Sequence, residues 1–274
     1  MSAENRTAKA LSLTEQKLLK TLSGRGQDLF TTRDAEQVLD KPNPSVRKLL
    51  HGLVKSRWLR RLEKGKYLIV PLSAGEDAHY TANELVIAAH LIMPYYVSYW
   101  TALSHYAYTE QPTRTVYIAT PKRRKPLEWR GVTYRFVTLA QHKFFGHARV
   151  WIGDQAVEIA TREKTLVDGL DHPEFCGGIV QVARGLWRGR DETDLAKVCD
   201  DARRMKNRAI VKRLGYLLER LDLGSVDLRA SLAAQRSKGY TVLDPLSPRE
   251  GKHNARWRLL VNLSDADLLS WKET

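Results

Sequence analysis

Between Lys41 and Lys66 the chain carries nine Lys and Arg side chains against one acid, Glu63. Such side chains neutralise phosphates, and they bind nucleic acids by releasing condensed counterions. Ser45, Arg47, Lys48, His51 and Lys55 form the first group, and Arg60, Arg61, Lys64 and Lys66 the second. A guanidinium such as that of Arg47 can bond O6 and N7 of a guanine together, so it can read a base as well as bind a phosphate. A second basic run, Lys122, Arg123, Arg124 and Lys125, lies between Pro121 and Pro126, with Arg114 and Arg130 nearby. The bracketing prolines mark a loop. Such a loop is either merely solvated, or adds phosphate contacts, or meets an acidic partner surface.

Catalytic patterns are weaker. Asp154, Glu158, Glu163, Lys164 and Asp168 lie close in sequence. A metal-dependent nuclease needs carboxylates to hold Mg²⁺ and a lysine near the attacking water. Such sites often place Glu and Lys two residues apart on one strand, but Ala160 stands two residues after Glu158. Glu163 falls in a first helical turn, where a carboxylate favours the helix dipole. The eight His residues are dispersed and form no HExxH pair, and GxGxxG, Walker A and GxSxG patterns are absent. Cys176 and Cys199 form no CxxC pair, which argues against a disulfide framework and a zinc knuckle. The expectation is a protein that is no enzyme and has no metal and no cofactor.

The elements that position the basic groups are legible. A first helix starts near Thr14, with Leu18, Leu19 and Leu22 inward and Gly24 as its stop. A second starts at Thr31 or Thr32, carries Ala35, Val38 and Leu39, and ends before Pro42. A third takes Asn43 as N-cap and Pro44 as its first residue. Val46, Leu49, Leu50, Leu53 and Val54 follow its apolar stripe. The opposite face carries Lys48, His51 and Lys55, with Ser45 and Arg47 at its edges. Trp58–Leu62 and Lys66–Val70 then flank a Gly-containing turn as a hairpin. Three helices and a hairpin in this order predict a winged helix-turn-helix. In that geometry the third helix enters the major groove and the hairpin lies along the backbone or minor groove.

Whole-chain numbers agree. The 274 residues suggest two domains, and 43% hydrophobic residues supply a packed core. Of the net charge of +14, an excess of eight falls within residues 1–72. That basic excess points toward polyanions. Pro71-Leu72-Ser73-Ala74-Gly75 reads as a boundary between a DNA-binding domain, 1–72, and a second domain, 76–274. The second domain reads as helices around Ala82–Met93, Ser98–Tyr106 and Thr161–Leu170. Strands are predicted at Thr115–Thr120, Val132–Leu139, Ala148–Ile152 and Ala156–Ile159. Mostly helical chain follows to about residue 235, then short strands including Trp257–Val261. The fold class is α+β: a winged helix followed by a larger mixed α+β domain. The aromatics of Tyr95–Tyr108 read as core rather than as a base-stacking platform. The longest apolar stretch, Leu85–Met93, is interrupted by His90 and falls short of the roughly 20 residues of a membrane span. The first ten residues hold no apolar signal-peptide core. The chain is expected to be cytoplasmic, with no membrane contact.

The chain resembles the AbiEi-type antitoxins, winged-helix regulators of abortive-infection toxin–antitoxin systems. The resemblance rests first on Trp58-Leu59-Arg60-Arg61-Leu62 and Gly65-Lys66-Tyr67. In the second domain it rests on three blocks: Tyr95 to Leu103, Gly131 to Phe136, and Val157 to Asp168. It implies a repressor that binds double-stranded operator DNA of its own operon through the winged helix. It also implies that the second domain counters a cognate nucleotidyltransferase-like toxin. Two other readings fit the residues: a stand-alone transcription factor with a ligand- or partner-sensing second domain, and a DNA-processing enzyme targeted by its winged helix.

Overall fold

Ser12 opens the first helix. Its hydroxyl accepts from the Glu15 amide while the Glu15 carboxylate accepts from the Ser12 amide, a reciprocal cap that satisfies two orphan donors. Helix α1 therefore spans Leu13–Gly24 and begins before Thr14. This computed structural model describes residues 11–71, 83–111 and 113–272. The boundary segment expected at 71–75 lies outside the described residues apart from Pro71. Two compact units form: one reaches Leu91 and includes Trp151–Ala156, and the other comprises Ile92–Val150 and Val157–Thr274.

In the first unit, β1 (Leu29–Thr31) leads into α2 (Thr32–Leu39), which Thr31 and Asp34 cap in the same reciprocal way. Helix α3 (Asn43–Lys55) precedes β2 (Leu59–Glu63), β3 (Lys66–Ile69) and α4 (Glu84–Leu91). The antiparallel sheet has the order β1-β3-β2. Leu18, Leu22, Ala35, Val46, Leu50 and Leu53 close one core with Phe30, Leu59 and Tyr67 from the strands. Gly65 turns the β2–β3 hairpin with φ of 79°, a left-handed value that glycine adopts without a steric penalty.

The second unit is α+β. Strands β4 (Tyr96–Val97), β5 (Thr115–Thr120), β6 (Leu127–Trp129), β7 (Val132–Thr138), β8 (His147–Ile152) and β9 (Gln155–Ala160) form one sheet, of which the end of β8 and the start of β9 are counted in the first unit, and α5 (Tyr99–His105) lies between β4 and β5 in the chain. The strand order is β6-β7-β5-β4-β9-β8, with β5 parallel to β7 and β4 parallel to β9. The expected strands thus form, and the two short ones, β4 and β6, join them. Helices α6 (Arg162–Asp171), α7 (Ile179–Arg188), α8 (Leu195–Arg204), α9 (Arg208–Arg220) and α10 (Val226–Ala234) follow. Strands β10 (Thr241–Val242), β11 (Lys252–Asn254) and β12 (Leu259–Val261) make a small sheet before α11 (Asp265–Leu269). The fully buried ring of Trp257 lies over Gly215 of α9, where a Cβ would overlap it. Among the described residues, no helix is long and apolar enough to cross a membrane.

Candidate nucleic-acid interface

Helix α3 places the first basic group. It starts one residue earlier than its sequence suggests: Pro42 is the N-cap, and the Asn43 amide donates to the Glu36 carboxylate instead of capping its own helix. Val46, Leu50 and Leu53 bury one face. Ser45, Arg47, Lys48, His51 and Lys55 are all exposed. Lys55 stands in the last turn, where a cation complements the helix dipole.

The hairpin splits the second group. Successive side chains on a strand point to opposite faces. Arg61 pairs with Tyr67 and Arg60 with Leu68, so the two arginines lie on opposite sides of the sheet. Arg61 is exposed and Arg60 is half-buried. Arg61 and Lys64 meet Arg47 and His51 across a groove of about 430 Å³, which Thr32 and Tyr67 also line. The Arg61 Nε donates to the Glu63 carbonyl at 3.3 Å, which steadies the guanidinium beside the turn. Ser45, Lys48, Lys55 and Arg60 do not line this groove.

Lys66 is engaged elsewhere. Its ammonium donates to the carbonyls of His90 and Leu91, both at 2.7 Å, and pairs with Glu63 at 3.1 Å. It closes the C-terminus of α4, whose last carbonyls have no partner within the helix. Thr32 is a groove residue that sequence reasoning missed. It arrives because β1 pairs with β3 and the Thr32 amide donates to the Gly65 carbonyl at 2.9 Å. A three-residue Leu-Phe-Thr strand leaves no periodic signal from which to find it.

In the second unit Lys122, Arg123, Arg124 and Lys125 form the connection from β5 to β6, as the bracketing prolines imply. Arg114 is exposed just before β5. Three of the four carboxylates weighed for catalysis, Glu158, Glu163 and Asp168, are engaged by basic side chains. Glu158 bonds His147 at 2.9 Å and Arg149 at 3.2 Å, and Glu163 pairs with Lys197 at 3.4 Å. Lys164 and Asp168 form an ion pair in which both side chains are fully buried. The Tyr96 hydroxyl accepts from Lys164 at 3.0 Å and donates to Asp168 at 3.1 Å, and the Ser98 hydroxyl also donates to Asp168. Burial, reinforced by the Asp168 charge, holds Tyr96 well above the usual phenol range, so it remains a donor. Ser98 thus serves Asp168 rather than capping α5. Burial also pushes the Cys199 thiol up to about 11 and raises Cys176. Both thiols are therefore protonated at neutral pH and poorly nucleophilic.

No protein-family model matches the chain, and no curated protein does. Among solved structures, the crystal structure of RV2827C protein from Mycobacterium tuberculosis aligns over 97% of this chain and 97% of its own, with a TM-score of 0.67 and 14% identity. At that identity the likeness is one of fold.

Proposed function

We propose that this protein is a sequence-specific DNA-binding regulator whose first unit acts as a winged helix. Helix α3 would enter the major groove of operator DNA, and the β2–β3 turn would follow the backbone. One observation carries this reading: Arg47 and His51 of α3 and Arg61 and Lys64 of the hairpin face a single groove. Ser45 and Lys48 extend the exposed face of α3 toward the same DNA. The second unit would counter a nucleotidyltransferase-like toxin, as the resemblance to AbiEi-type antitoxins implies. No step of this role needs catalysis, a metal or a cofactor. The test is footprinting of the full chain on the DNA upstream of its own gene. A discrete protected site is expected, and uniform or absent protection at low salt would overturn the reading.

A further inference from the structure

The connection between β5 and β6 has an unusual path. Strand β5 ends at Thr120, opposite Thr138 of its parallel neighbour β7. Strand β6 lies on the far side of β7, with Leu127 opposite Tyr134. Residues 121–126 must therefore cross β7 to reach the sheet edge. Arg124 fastens the crossing, its guanidinium 4.5 Å from the centre of the Phe136 ring on β7. That contact leaves Lys122, Arg123 and Lys125 exposed on a short loop with proline at both ends. Among the described residues, no carboxylate lies within ion-pair distance of these three.

Arg114 and Arg130 are exposed at the other end of β5 and β7, where Thr115 pairs with Thr133. Seven residues of β7 span about 20 Å at the usual strand rise. Arg135 is not part of this surface. It pairs with Tyr117 and stacks 4.7 Å from Phe175, on the opposite sheet face from Phe136. Within residues 113–135 the only acid is Glu128. Like charges gathered on one loop repel each other and contribute nothing to the core.

The chemistry of the patch selects its partner. Protein interfaces have an apolar centre in which their strongest contacts lie. Within residues 113–135 no large apolar side chain is exposed, and the exposed one nearest in the fold is Met93, next to Pro94, whose carbonyl accepts from the Thr120 hydroxyl at 2.7 Å. A loop whose exposed side chains are mostly cationic suits a polyanion, whose affinity comes from released counterions. We propose that the β5–β6 crossing, with Arg114 and Arg130, is a second nucleic-acid site that holds the phosphate backbone without reading sequence. It is independent of the α3 groove.

The test uses the full chain carrying Arg47→Ala, Arg61→Ala and Lys64→Ala, so that the groove is silenced. Binding of a random-sequence DNA duplex and of an RNA hairpin is followed by fluorescence anisotropy over a salt series. Lys122→Ala, Arg123→Ala and Lys125→Ala are then added. Salt-dependent binding is expected before the addition. On duplex DNA the log–log salt slope should fall by about 0.9 for each phosphate contact removed. Loss on either nucleic acid supports the site, and the larger loss names its ligand. Unaltered thermal unfolding checks that the loop variants remain folded. No binding in the groove-silenced chain, or an unchanged slope on both nucleic acids, overturns the proposal. Unchanged nucleic-acid binding together with lost rescue from the toxin would make the loop a protein-binding surface and overturn it as well. If groove silencing leaves DNA affinity intact, the regulator reading fails while the loop site stands or falls on its own slope.

Discussion

Arg47 and Arg61 face the same groove, yet their removal should have different signatures. Arg47 lies in the first half of α3, the part of a recognition helix that reaches base edges. Arg47→Ala should cost about 1–3 kcal/mol on the operator and little on random DNA. Equal losses in parallel titrations would make Arg47 a phosphate contact. Arg61 and Lys64 flank the hairpin turn, so their loss should weaken all sequences alike. Each should lower the log–log salt slope by about 0.9. Arg60 provides the internal control. It sits on the other sheet face, so Arg60→Ala should leave the slope unchanged, and a drop equal to that of Arg61→Ala would contradict the split. The alternation of a strand makes this distinction, whereas composition alone treats Arg60, Arg61 and Lys64 as one cluster.

At the scale of elements, the amphipathic stripe from Val46 to Val54 places α3, and the Gly65 turn places the β2–β3 hairpin close to its observed range. Caps are less legible because their partners are remote: Asn43 is drawn to Glu36, and Ser98 to Asp168. Strands β1, β4 and β6 are two or three residues long and acquire their form only from neighbours. The blocks Tyr95–Leu103, Gly131–Phe136 and Val157–Asp168 cover β4 with most of α5, most of β7, and most of β9 with much of α6. They are dominated by buried side chains such as Tyr96, Tyr134 and Ile159, so they encode packing. The Lys164–Asp168 pair joins α6 to β4 through Tyr96 and Ser98. Removing one partner strands a buried charge, so Asp168→Leu should destabilise the protein by about 3–5 kcal/mol. Joint replacement, Lys164→Met with Asp168→Leu, should recover much of that loss. Chemical denaturation of both variants measures this, and equal destabilisation by the single and double changes would contradict a coupled pair.

At the scale of the molecule, charge is unevenly spread over the fold. Residues 1–72 hold an excess of eight positive charges, and the larger α+β unit comprises Ile92–Val150 and Val157–Thr274. Function should divide in the same way. The full chain with Arg47→Ala, Arg61→Ala and Lys64→Ala should still rescue cells from the cognate toxin when that toxin is expressed from an unrelated promoter. Loss of rescue would tie antitoxin action to DNA binding. The first unit runs past the boundary expected at 71–75, through α4 to Leu91, and of the layout only the basic excess of residues 1–72 was legible in the sequence. The tie of Lys66 to the end of α4 was not, because it spans a sequence separation that no local pattern reports. The central claim is that the groove between α3 and the hairpin grips DNA, and one measurement tests it most directly. The affinity of the full chain for its footprinted site is compared with that of the same triple variant, with thermal unfolding recorded for both. The expected result is an unchanged unfolding temperature with affinity reduced by roughly tenfold or more, since one lost bidentate base contact alone is worth about 1–3 kcal/mol. Unchanged affinity in a folded triple variant would contradict the claim.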